Sequence, residues 1–155
     1  MSKAQFVYVT YIASTVEAVF NALTDPEMTK NYWGRHHNAS DWKVGSRWEH
    51  RDYVDSSKVD IVGTVVENDP PKRLVVTWVQ PSQEGNPAKA SRVTYEVDTM
   101  GPLVKLTVTH ADLEPGSEME QSVSFGWPIV ISSLKTLLET GNPMAGMTKR
   151  WGDAA

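Results

Sequence analysis

The chain holds four histidines and no cysteine. Proton-transfer or metal chemistry would therefore fall first to His36, His37, His50 and His110, with disulfides, thiolate metal sites and cysteine nucleophiles removed together. His110 follows Val104, Leu106 and Val108 at a spacing of two, which in a strand puts all four side chains on one face. An imidazole there can serve as general acid or base, ligand anchor or pH sensor. It can equally be a hydrogen-bonded residue at the end of a strand, half exposed. No carboxylate partner for it can be read from the spacing. His50 shares a strand face with Trp48 and turns to the same side. His36 and His37 fall in a predicted loop, where adjacent side chains diverge and no third ligand is spaced to join them, so no metal is expected. Ser132-Ser133-Leu134-Lys135 matches a serine–lysine catalytic motif in form only, because its companion motifs are missing and it lies on the polar side of a helix. Nucleophile elbows, phosphate-cradling glycine loops and dinucleotide fingerprints are absent from the sequence. No catalytic residue and no cofactor are expected.

The elements that must position these residues follow from periodicity. Residues 5–12 are β-branched and aromatic, a strand composition. Ser14 stands three before Glu17, the spacing of a capping box, and Val16, Val19, Phe20 and Leu23 then form one helical stripe. Asp25-Pro26 restarts a second short helix that ends near Tyr32-Trp33-Gly34. Strands are predicted at 41–44, 47–54, 58–68, 73–80, 91–99 and 104–113, joined by connections short enough to imply antiparallel pairing. The polar stretch 80–90 offers no apolar anchor and is expected to be mobile. In 91–99, Val93, Tyr95 and Val97 alternate with Arg92, Thr94, Glu96 and Asp98, so one side of the sheet is dry and the other wet. The last element carries Val123, Trp127, Val130, Ile131, Leu134, Leu137 and Leu138 on one broad helical face. A helix is expected over roughly 127–140, beginning or bending at Pro128 and stopping at Gly141. Beyond it the tail is expected to be loosely ordered, with Met144, Met147 and Trp151 able to dock.

With 40% hydrophobic and 22% charged residues over 155 positions, the composition is that of one globular domain, its core at about 5–142. The formal net charge is −4, and no basic run is present, so nucleic acid is not an expected partner. No segment has the apolar length needed for membrane insertion. The start lacks the apolar core of a signal peptide. A cytoplasmic location is expected, which leaves the sequon Asn38-Ala39-Ser40 a chance match.

Several stretches, in order, carry a resemblance. They are Ala22-Leu23-Thr24-Asp25-Pro26-Glu27, Val44-Gly45, the run from Val65-Val66-Glu67 through Asn68-Asp69-Pro70-Pro71-Lys72-Arg73 to Leu74-Val75-Val76-Thr77-Trp78, then Gly126-Trp127-Pro128 and Leu134-Lys135-Thr136-Leu137-Leu138-Glu139. Over residues 5–142 the chain resembles a bacterial member of the family named for the C-terminal domain of the activator of Hsp90 ATPase, within the START and Bet v 1-like superfamily. That resemblance implies an α+β helix-grip fold: a curved antiparallel sheet of about seven strands around a long C-terminal helix, two short helices after the first strand, and a cavity between sheet and helix.

The dry face would then present Trp48, His50, Trp78, Tyr95, Val97, Leu106, Val108 and His110, with Trp127, Ile131 and Leu134 opposite on the helix. These residues either line a ligand cavity or simply fill a core. Tyr32, Trp33 and Trp42 form either a lid at its mouth or a packing corner. The expected function is binding of a small apolar or aromatic molecule. The alternatives are a cyclase or hydrolase acting on a polyketide-like substrate, which needs an acid–base pair in the cavity (His110, His50, Glu49 and Tyr95 are available), and an Hsp90-type chaperone partner. The named activator carries a separate N-terminal domain that engages the chaperone. These 155 residues leave no room for it, which argues against ATPase stimulation.

Overall fold

The computed structural model describes residues 2–148. Strand β1 (Ala4–Ile12) is followed by helices α1 (Val16–Thr24) and α2 (Pro26–Tyr32), then by β2 (His36–Ala39), β3 (Arg47–Asp52), β4 (Val59–Asp69), β5 (Arg73–Trp78), β6 (Ser91–Met100), β7 (Leu103–Leu113) and the long helix α3 (Glu118–Thr140). The seven strands form one sheet in the order β1-β7-β6-β5-β4-β3-β2, every adjacent pair antiparallel. Register shifts at His50/Arg51 and Val65/Glu67 bend the sheet into a curve. Alternation fixes its inner face: Val93, Tyr95, Val97, Val104, Leu106, Val108 and His110 are buried, and Lys105, Thr107 and Thr109 are not. Helix α3 packs against β1, β7, α1 and α2, and Leu134 on it is fully buried.

The structure moves several boundaries, β3 ending at Asp52 rather than 54 and β5 at Trp78 rather than 80 among them. Residues 41–44 do not form a strand. There the Asp41 carboxylate accepts the Lys43 amide at 2.9 Å and Trp42 takes φ 62°, a local side-chain bond that competes with strand pairing. The strand lies instead at His36–Ala39, paired with β3 from His36↔Asp52 to Ala39↔Glu49, so His36 and His37 are strand residues rather than loop residues. The α1 cap is Thr15, whose hydroxyl accepts from the Ala18 amide at 3.2 Å, rather than Ser14. Helix α3 starts nine residues before Trp127, at Glu118, and passes through Pro128. It is capped by Ser117, whose Oγ accepts the Glu120 amide at 3.1 Å, while Glu120 Oε1 accepts the Gly116 amide, one residue before the cap, at 2.7 Å, a variant of the capping box. Those bonds secure the turns ahead of a proline that removes a single donor. Gly141, at φ 87°, ends the helix as expected. Met147 is buried and the Met144 amide reaches Ser133 Oγ at 3.3 Å, whereas Trp151 lies outside the described residues.

One glycine holds the curve together. Gly63 sits opposite Trp48 in the β3–β4 ladder, and the Trp48 indole crosses it to donate Nε1–H to the Thr77 carbonyl at 2.8 Å. A Cβ on Gly63 would lie 1.9 Å from that carbonyl oxygen and 2.5 Å from the indole nitrogen. The strands close around the missing side chain, and the indole covers the backbone the glycine leaves bare. Gly63→Ala is therefore expected to destabilise by about 3 kcal/mol or more, through displacement of strand backbone and loss of the indole bond. Urea unfolding of the variant beside the wild type measures it.

Candidate functional site

Helix α2 is capped by Trp33, whose amide still donates to the Thr29 carbonyl at 3.0 Å. Gly34 and Arg35 then both take left-handed backbone, at φ 60° and 65°. This double reversal sends the chain back along β3 and leaves the Trp33 ring buried under the helix end. Trp78 comes from the last residue of β5, and Trp127 from the middle of α3. The three indoles meet: ring centroids are 5.4 Å apart for Trp33–Trp127, 5.6 Å for Trp78–Trp127 and 6.3 Å for Trp33–Trp78. Tyr95 meets the Trp127 ring edge-on at 5.9 Å.

Behind this wall runs a buried hydrogen-bond chain. An indole can only donate, so Trp127 Nε1–H donates to His110 Nδ1 at 3.0 Å. That fixes the tautomer: His110 Nε2–H donates to Ser91 Oγ at 2.7 Å, and the Ser91 hydroxyl donates to the Trp78 carbonyl at 2.9 Å. His110 is fully buried, and burial pushes its pKa down from 6.5 to about 3. Both ring nitrogens are committed. His110 thus orients Trp127 and is neither a half-exposed strand end nor a free acid or base.

Beside the indoles, His36 and His50 stack face to face at 4.4 Å, nearly parallel. His50 Nδ1 is 2.7 Å from Asn38 Oδ1. His36 places Nδ1 3.1 Å from the Gly34 carbonyl and Nε2 2.5 Å from the Asp60 carboxylate. Both oxygens are hydrogen-bond acceptors. His37 points elsewhere, with its Nε2 accepting from Arg51 Nε at 2.9 Å. Among the described residues no group of three His, Asp or Glu side chains is placed to hold a metal ion.

These groups border a cleft of about 290 Å³. Trp33, Trp78 and Trp127 wall it with Ile61; Met119, Ser122, Val123, Gly126 and Val130 close it from α3; His36, His50 and Asp60 supply its polar side. An apolar, aromatic wall with a few convergent polar groups is the usual composition of a small-molecule pocket, and the volume is at the lower end of the usual range. Of the residues read from the sequence, the cleft brings together His50, Trp78 and Trp127. Trp48, Tyr95, Val97, Leu106, Val108, His110, Ile131 and Leu134 are buried in the core beside it instead. Period two names the face of a sheet, not the point along it where the covering helix leaves room. Trp33, one of the three lid candidates, lines the cleft, together with His36 and Asp60, which the strand pattern does not mark as lining residues. The Trp33-Gly34 step was a legible turn signal, whereas nothing in the sequence joins Asp60 to His36. Tyr32, Trp33 and Trp42 do not make a common lid. The buried Tyr32 hydroxyl donates to the Ala22 carbonyl at 2.7 Å, and Trp42 Nε1–H to the Thr24 carbonyl at 3.0 Å, so both are packing corners.

The curved sheet gripping α3 defines a Bet v 1-like protein of the helix-grip class. The chain belongs to the family described as Activator of Hsp90 ATPase homolog 1-like protein, which residues 13–139 match. A search of curated proteins found no match. Solved structures share the fold. CalU16 from Micromonospora echinospora is 22% identical, covering 94% of this chain and 80% of that one, with a TM-score of 0.71. The Aha1 dimer from Colwellia psychrerythraea is 18% identical over 89% of this chain and 98% of that one, with a TM-score of 0.73. MLL2253 from Mesorhizobium loti is 22% identical over 87% and 96%, with a TM-score of 0.72.

The neutral, buried His110 has a pH consequence. Its folded pKa of about 3 lies below the ordinary 6.5, so the unfolded chain takes up this proton first as pH falls. Stability is therefore lost between pH 6.5 and about 3, at up to about 1.4 kcal/mol per pH unit from this residue. Urea unfolding across that window is expected to show a shallower slope for His110→Gln than for the wild type.

Proposed function

We propose that the protein binds a small, largely apolar molecule with an aromatic or other flat ring body in the cleft between β2–β5 and the N-terminal half of α3. The observation that carries this reading is the wall of three packed indoles beside open space of about 290 Å³. A wall of indoles offers a ring faces to stack on and edges to meet. The stacked His36–His50 pair and Asp60 make one side of the cleft polar, which would orient such a ligand.

Indane, a rigid two-ring hydrocarbon, tests the reading. Its titration is expected to change tryptophan fluorescence saturably, and Trp127→Phe is expected to lose much of that signal. Val123→Trp, which places a large ring in the cleft, is expected to abolish binding at a stability cost of about 1–3 kcal/mol. Ile131→Trp is expected to cost more, since Ile131 is 1% exposed within the core. Indane binding that survives Val123→Trp would move the site elsewhere.

One observation favours a second, catalytic reading: the His36–Asp60 pair lines the same cleft. A cyclase- or hydrolase-type reaction needs such a pair for proton transfer. Asp60→Asn is nearly isosteric and distinguishes the two. It would end turnover of a polyketide-like substrate in the catalytic case, whereas in the binding case it leaves indane affinity nearly unchanged and no turnover is seen in the wild type.

A further inference from the structure

Two recesses of similar size share a lining residue in the first turn of α3. The aromatic cleft measures about 290 Å³ and its neighbour about 300 Å³. Among the described residues they share one lining side chain, Met119, which is partly buried and packs against the core. The neighbour is more polar than the cleft, with Gln80, Gln83, Ser91 and Ser117 along it beside the charged Lys3, Lys89, Asp112, Glu114 and Glu118. Its Lys3 is already paired to Glu114 at 2.6 Å. Ser91 spends its hydroxyl proton on the Trp78 carbonyl and one lone pair on His110, which leaves a second lone pair for a hydroxyl donor. The same serine connects the two recesses, since His110 holds Trp127 in the wall of the first.

We propose that the two recesses are the ends of one elongated site, and that Met119 is the residue that sets the length of molecule it accepts. The occupant is an uncharged amphiphile. Its apolar body lies against the indoles, and its hydroxyl-bearing end reaches past Met119 to the polar recess. A methionine suits this position: it is unbranched and adaptable, so it divides the space without filling either side. The inference rests on the small-molecule reading above.

The test is a series of 1-alkanols from hexanol to dodecanol, titrated calorimetrically into the wild type, Met119→Ala and Met119→Phe, with indane as a reference for the aromatic cleft. In the wild type each added methylene is expected to tighten binding about fourfold, up to the longest chain whose body Met119 lets lie against the indoles with its hydroxyl past it in the polar recess, beyond which affinity is flat. In Met119→Ala the gain is expected to continue for about three more methylenes, matching the atoms removed. In Met119→Phe it is expected to stop earlier. The same break in the wild type and Met119→Ala, or no break in the wild type, overturns the proposal while indane binding leaves the small-molecule reading standing. If neither alkanols nor indane bind, both fall.

Discussion

When α3 closes on the sheet, the indole N–H of Trp127 leaves water and is paired with an acceptor, which avoids the cost of about 1–3 kcal/mol for a buried unpaired donor. The acceptor is His110, which must be neutral to accept, and which therefore needs its own acceptor in Ser91 and Ser91 in turn the Trp78 carbonyl. This directional chain spans helix α3 and strands β5, β6 and β7. It sets the rotation of α3 about its own axis, the angle of the Trp127 ring, and so the shape of the wall against which Trp33 and Trp78 pack. A sheet and helix joined only by apolar contact would have many nearly equal docking angles; satisfied buried polar groups single one out.

The cleft follows from how far that docking reaches. Toward β1 and β7 the helix lies against the sheet, and Ile131 and Leu134 are buried. Toward β2–β4 the sheet curves away, assisted by the irregularity at His50/Arg51 and by the close approach at Gly63. The N-terminal half of α3 then stands off the strands, and the α2 terminus supplies Trp33 to border the opening. The open space and the filled core thus belong to one concave face, divided by the reach of one helix.

The sequence made this face legible and left the division hidden. Alternation in β6 and β7 showed which side of each strand was dry, because the period of a strand is fixed by its backbone. The α1 stripe and the Gly141 stop were equally plain. Strand β2 was not, since His36-His37-Asn38-Ala39 holds no β-branched residue and becomes a strand only through its pairing with β3. The early start of α3 was written in Ser117 and Glu120 but masked by Pro128, and that extension supplies Met119, Ser122 and Val123 to the cleft. The His36–Asp60 pair joins residues from two strands that are not neighbours in the sheet, so no local pattern could announce it.

The usable space lies against the three indoles, under the N-terminal half of α3. Crystals soaked in bromobenzene would show it through the anomalous signal of bromine. A peak is expected in the cleft, against the Trp33, Trp78 and Trp127 rings and within contact of Val123. A peak among Leu106, Val108 and Ile131, or no peak at saturating bromobenzene, would contradict that placement.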